Sequence, residues 1–270
     1  MLKTTFCPSF KKPIFGALNF KRLMIVRAVV LFILVGLTIP SMGQDVVEVS
    51  PDTPKKSWKP DIPGSIMVEF GWNFKNGVVP SDFQKSWWGS RTLNIYYHYP
   101  FRILKSRISF NPGIGFSLER FKFTNNYTLP FEADPDDGTY PLIPAADIYP
   151  GTIQRSFIVN NYIEAPLEFR YDSKPDDIAR SFNVSLGWRV GILYDAFTKV
   201  DYTHNGEDKS MKDKQWHGMN RWRQGVYLRA GYGGFGASFY YNYTPLFEAG
   251  KGPEMTKMNT VTVTLFVNGF

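Results

Sequence analysis

From Ser181 to Tyr194 the chain alternates without a break. Phe182, Val184, Leu186, Trp188, Val190, Ile192 and Tyr194 share one parity, and Ser181, Asn183, Ser185, Gly187, Arg189 and Gly191 share the other. A period of two places these sets on opposite faces of a β-strand. The run can cross the hydrocarbon of a bilayer, for which a tilted strand needs about 9–11 residues. Arg189 decides which face meets lipid. An arginine turned towards lipid near the midplane costs about 2–4 kcal/mol, so the apolar row faces outward and Arg189 inward. The expectation is a transmembrane β-barrel.

Residues 1–43 differ from the rest. They carry Lys3, Lys11, Lys12, Lys21, Arg22 and Arg27, no acidic residue, and then the apolar run from Ala28 to Ile39. With small residues at Ser41 and Gly43 ahead of a cut before Gln44, this segment reads as a cleaved signal peptide, Met24 being an alternative start. A spanning helix wants about 20 apolar residues, and Pro40 closes the run sooner. Of the 31 basic residues six lie in this leader, so the remainder nearly balances the 24 acidic ones. The basicity belongs to the export signal, and no nucleic-acid partner is expected. The one cysteine, Cys7, leaves with the leader, so the mature chain forms no disulfide.

Residues 44–64 are polar and contain Pro51, Pro54, Pro60 and Pro63, which suits an extended periplasmic segment. No later apolar stretch is long enough for a spanning helix, yet aromatic residues make up 17% of the chain. A membrane protein without long helices must close its sheet on itself. The expected fold is therefore all-β, an eight-stranded antiparallel transmembrane β-barrel over residues 65–270. Its strands fall near 65–74, 92–101, 107–123, 153–171, 181–194, 224–232, 235–243 and 259–267. In the third strand the phase slips at Arg120, with Phe121 and Phe123 on the other parity, which reads as a bulge or a membrane boundary. Pro112 and Pro166 each remove a ladder donor and call for local bulges. Long and short connections alternate. The long ones, 75–90, 124–152, 195–222 and 244–258, are expected outside the cell, with both termini in the periplasm.

Eight strands leave a lumen just wide enough for side chains. The inward parity collects Glu69, Glu119, Glu164 and Glu168 with Arg107, Arg170, Arg189 and Arg229. Buried charges are costly alone, so a paired network that plugs the lumen is expected. Trp72, Trp87, Trp88, Trp188 and Trp222, together with Trp58 and Trp216, suit interfacial aromatic belts at the lipid boundary.

Enzyme signals are weak. Glu164 and Glu168 lie about 13 Å apart on a strand rising roughly 3.3 Å per residue, beyond the reach of a carboxylate pair. The GxGxxG spacing from Gly231 to Gly236 lies between two strands and lacks the helix a dinucleotide site needs. The run from Asp134 to Gly138 resembles a calcium loop, but the twelfth position is Ala145. His98, His204 and His217 have no metal-site spacing, and no serine or cysteine has a base beside it. No catalytic residue, cofactor or metal is expected. An eight-stranded barrel can instead be a lipid-modifying enzyme, which would need a serine and a histidine brought together near the outer rim.

Five motifs stand out: 161–171 (NYIEAPLEFRY), the glycine-rich 186–191 (LGWRVG), 230–233 (AGYG), 241–247 (YNYTPLF) and 250–254 (GKGPE). In these the chain resembles the PorT-like outer-membrane β-barrel family. The resemblance implies an outer-membrane barrel of a Gram-negative envelope. Its partners would be the bilayer, the barrel assembly machinery and, since the namesake is associated with type IX secretion, secretion components. It carries over no functional residue. Phe270 falls on the parity of Thr264 and Phe266, unlike the outward aromatic that ends a typical barrel assembly signal. The readings left open are a structural or surface-binding barrel, an accessory of secretion, and a lipid-modifying enzyme.

Overall fold

The computed structural model describes residues 64–269. The leader over 1–43, nearly all of the extended segment over 44–64 with Trp58, and Phe270 lie outside the described residues. Eight long strands follow one another: β1 (Ser65–Val78), β2 (Arg91–His98), β3 (Ile108–Lys122), β4 (Thr152–Asp172), β5 (Phe182–His204), β6 (Trp222–Tyr232), β7 (Phe235–Asn242) and β8 (Lys257–Asn268). Each pairs antiparallel with its neighbour, and β8 returns to β1 from Met67 opposite Asn268 to Val78 opposite Lys257. The barrel is closed. Closure satisfies every ladder edge internally, which a bilayer requires because it offers the backbone no partners.

The outward wall is the apolar parity read from the sequence. Ile95, Ile114, Phe116, Ile163, Leu186, Leu228 and Leu265 are exposed on it. Towards the short turns the belt ends in Tyr171, Phe182, Tyr232 and Phe235. Towards the long loops it ends in tryptophans and basic residues.

Three expectations need correction. The third strand has no bulge at Arg120: β3 keeps one register with β2 up to it and with β4 straight through it. Phe121 and Phe123 stay on the inward parity of Ser117 and Glu119 and are 0% and 1% exposed. The filling changes there, not the register. Pro112 and Pro166 cause no bulge either. The β3–β4 ladder lapses at Gly113 and Ile114 and resumes in the same register at Gly115, and a Cβ at Gly113 would stand 3.1 Å from the Pro166 ring. The register shifts lie elsewhere, at Gln154 in β4 and Tyr194 in β5. Finally, much of 195–222 is strand rather than loop. β5 continues to His204, turns at Asn205 and Gly206, both with positive φ, and returns as a short strand, Glu207–Asp213. Two left-handed residues make the tight turn that suits a hairpin. The returning strand is exposed along nearly its whole length, so its composition becomes polar and the apolar alternation that marks a strand disappears, whereas Val200 and Tyr202 on the outgoing arm are buried with Ala145 and Tyr149.

Under the long loops lies a separate apolar core. Phe83, Phe121, Phe123, Leu129, Ile158, Leu193, Met219, Leu246, Phe247 and Met258 are buried together there. The lumen is thus capped at its loop end. At the turn end it opens into a cavity of about 410 Å³ lined by Met67, His98, Asn111, Glu168, Arg170 and Asp172.

Candidate functional site

Between cap and cavity the inward parity carries one connected chain of charge. Glu119 meets Arg223 at 3.3 Å, and Arg223 meets Glu164 at 2.5 Å. Glu164 lies 3.7 Å from Arg189, which reaches Glu69 at 3.3 Å. Glu69 meets Arg229 at 2.6 Å, and Arg229 also pairs with Glu168. Four carboxylates and three guanidiniums alternate across the lumen from β3, β6, β4, β5 and β1. All seven side chains are buried. Neighbouring strands tilt and stagger in a barrel, so residues distant in sequence converge on the axis.

Tyrosines fill the gaps. The Arg189 guanidinium lies 4.8, 4.9 and 4.6 Å from the rings of Tyr96, Tyr227 and Tyr240. Arg223 stacks on Tyr162 at 3.9 Å, and Arg229 on Tyr227 at 4.4 Å. The Tyr96 hydroxyl donates to Glu164, and the Tyr227 hydroxyl to Glu168 at 3.2 Å. Asn94 donates to Glu69 at 2.8 Å, and Arg223 donates to Ser117 at 2.7 Å. Dispersed cation–π and charge-assisted contacts of this kind offset the desolvation of buried arginines. Chemically the assembly is a set of paired charges, in which the Arg189 Nε and Tyr240 hydroxyl are left without a hydrogen-bond partner. It fills the lumen between the cap and the turn-end cavity, which Glu168 reaches.

The structure brings together Glu69, Glu119, Glu164, Glu168, Arg189 and Arg229 of the expected set. It does not bring in Arg107, which lies exposed at the turn end with its guanidinium 3.3 Å from the Tyr171 hydroxyl. Arg107 precedes β3 by one residue, so inward parity does not bind it. Arg170 is buried but pairs with Asp172 at 3.0 Å, at the cavity, instead of joining the chain. Arg223 takes the place that the sequence reading gave Arg107. Its signal was available: strand six begins two residues earlier than expected, and Arg223 shares the parity of Arg229. The four tyrosines carry the same signal, since Tyr96, Tyr162, Tyr227 and Tyr240 all lie on inward parities.

The described tryptophans project from the outer wall or the loop above it. Trp88 lies 5.9 Å from Trp72 and 5.4 Å from Trp87, at the loop end. Trp222 is exposed at the start of β6, and Trp188 donates to the Tyr243 hydroxyl at 2.9 Å. The remaining candidates have structural partners. The run from Asp134 is a turn in which the Asp137 carboxylate accepts Thr139 Oγ1 at 2.7 Å and Thr139 N at 2.9 Å, bonds that hold its pKa below the usual range. Gly233 and Gly234 form the tight turn between β6 and β7. His98 faces the Asn111 carbonyl at 3.4 Å at the turn end, far from the outer rim. His204 ends β5 opposite Glu207. His217 is held between the Gln215 carbonyl at 2.9 Å and Asp213 at 3.0 Å.

A family model described as outer membrane protein beta-barrel domain matches residues 63–248. The chain belongs to this outer-membrane β-barrel family. It is an outer-membrane protein by that membership, and the paired register is that of an eight-stranded member. A comparison with curated proteins finds no match. Among solved structures it is similar to Neisserial surface protein A, at 12% identity over 76% of this chain and 96% of that one, with a TM-score of 0.37. It is also similar to a variant of the Rhodopseudomonas blastica porin, at 9% identity over 76% of this chain and 99% of that one, with a TM-score of 0.17. Scores so low leave the architecture to rest on the strand pairing and the family model.

Proposed function

We propose that this protein is a non-enzymatic, non-conducting barrel with a structural or surface-binding role, its long loops outside the cell and both termini in the periplasm. The observation that carries the reading is the filled lumen: the chain from Glu119 to Glu168 crosses it, and the apolar core from Phe83 to Met258 caps it. What the barrel offers to other molecules is therefore its surface. Support for the orientation comes from the connections, which alternate between long segments such as 123–151 and short ones such as 233–234. The non-enzymatic part of the reading rests on the sequence, in which no serine or cysteine has a base beside it. The test is conductance of the refolded barrel in a planar bilayer. Silence is expected, and steady single channels from the unmutated chain overturn the plug.

A second reading, an accessory of type IX secretion, draws on the family resemblance. The stretches that carry the resemblance, 161–171 and 186–191, also supply Glu164, Glu168 and Arg189 to the lumen chain. Comparing the secreted proteome of cells lacking the chain with that of cells carrying it again on a plasmid decides this reading. Cargo held in the periplasm and released by the plasmid supports it, and unchanged cargo removes it.

A further inference from the structure

On the outer wall, where the apolar belt gives way to the long loops, six cations share one face: Arg91 on β2, Arg120 and Lys122 on β3, Arg155 on β4, Lys199 on β5 and Lys212 on the hairpin strand. The register sets two like-charged pairs directly opposite each other, Arg91 with Arg120 and Lys199 with Lys212. Like charges facing each other across a ladder destabilise it, so the arrangement asks for an anion. The protein supplies little. Asp201 is the one carboxylate ion-paired with these six among the described residues, at 3.0 Å from Arg155 and 3.3 Å from Lys199. Arg120 and Lys212 instead rest over the rings of Phe157 and Phe197, at 5.2 and 5.3 Å. Glu119 also borders the face, but from the lumen side and engaged by Arg223.

The same face is concave. A groove of about 560 Å³ runs along it, with Phe70, Leu93, Leu118, Val159 and Phe197 in its apolar part and five of the six cations at its polar side. Cations above an apolar floor, on a wall that faces lipid, match the two parts of an anionic amphiphile.

We propose that this groove binds a phosphorylated lipid of the outer leaflet. Its phosphates would be held by Arg91, Arg120, Lys199 and Lys212, and its acyl chains would lie on Leu93, Leu118 and Val159. Arginine forks and lysine ammoniums both suit phosphate oxygens. The leaflet rests on the proposed orientation of the loops, but the groove and its charge do not.

The test uses the full mature barrel, refolded and reconstituted in phosphatidylcholine nanodiscs doped with a diphosphorylated glycolipid or its dephosphorylated form, with retained lipid counted by native mass spectrometry. A cation near an anionic lipid surface contributes about fivefold in affinity. Preference for the phosphorylated form, and its loss by about a hundredfold in the variant Arg91→Gln/Arg120→Gln/Lys199→Gln, are expected. Arg107→Gln, at the turn end, should retain it. Heat-modifiable migration checks that each variant folds. Equal retention of both lipids, or no loss in the variant, overturns the site. Inorganic pyrophosphate that displaces the lipid at equal concentration assigns the groove to free phosphate and overturns the lipid. Orientation is read separately, from labelling of Glu207→Cys in intact cells with a membrane-impermeant maleimide. Labelling is expected. A selective groove with an unlabelled cysteine puts the site in the inner leaflet, which overturns the outer-leaflet occupant and the proposed orientation together.

Discussion

Two neighbouring levels of one lumen are filled in opposite ways. At mid-height the inward residues of β3 and β4 are Ser117, Glu119 and Glu164, and four residues or so nearer the loops they are Phe121, Phe123 and Ile158. Both levels are inside by register. The middle is enclosed by the wall alone, and charged side chains pair with one another there through the tyrosine-lined arginine chain. The loop end is enclosed because Phe83, Leu129, Met219, Leu246 and Phe247 fold over it from the connections, which makes it an ordinary hydrophobic core. Inward in a barrel is therefore a matter of parity, and polarity follows from what else closes the space. The charged level should fail abruptly when one partner is lost, and the apolar level gradually, by cavity.

The sharpest way to break that contrast is Arg189→Met. It leaves Glu69 and Glu164 each short of a cation in a buried site, which costs about 3–5 kcal/mol when a buried pair loses one member. Urea unfolding of the barrel in phospholipid vesicles, followed by tryptophan fluorescence, measures it. A loss under about 1 kcal/mol, the worth of an exposed pair, would show that water already screens the network. Next is Leu129→Ala in the cap, expected to cost about 3 kcal/mol as lost burial plus cavity. The effect should appear as faster hydrogen exchange and proteolysis of 123–151, with the barrel's own unfolding little changed. If the whole barrel loses stability equally, cap and midsection are one cooperative unit.

The parts legible in the sequence are those with two faces in contrasting surroundings. β5 announces itself because Leu186, Trp188 and Val190 meet lipid while Ser185 and Arg189 meet the lumen. The returning strand Glu207–Asp213 does not, because it is exposed along nearly its whole length and no alternation is selected. Phe121 misled for a related reason: an apolar residue on the polar parity looks like a slipped register when the apolar filling comes from loops distant in sequence. Arg107 and Arg223 show the limit of boundaries. Each lies at the edge of a strand, where one residue of fraying decides whether parity applies, and nothing local distinguishes the arginine that enters from the one that does not. The groove of cations was also invisible, since Arg91, Arg120, Arg155 and Lys199 come from four strands and meet only through register.

Within the charged level the position along the chain should grade the effect. Glu119 ends it, with Arg223 at 3.3 Å as its one ion partner among the described residues, whereas Glu164 serves Arg223, Arg189 and Tyr96. Glu119→Gln keeps an acceptor and should cost about 1–2 kcal/mol, as for a charge-assisted hydrogen bond, with Glu164→Gln costing more in the same unfolding assay. Equal losses would mean that the chain acts as one unit instead of a series of pairs.

The smallest effect belongs on the outer wall, where the Trp188 Nε1 group donates to the Tyr243 hydroxyl, which in turn donates to Gln224 at 3.0 Å. Lipid supplies no replacement acceptor, so the bond is favourable, but Trp188→Phe removes the donor together with its need for a partner. Tyr243 keeps its own donor bond to Gln224. The cost should stay near 0.5–1 kcal/mol, well below that of any member of the lumen chain. A larger loss would mean that Trp188 anchors the barrel through its ring, and that the outer wall, like the lumen, depends on single residues.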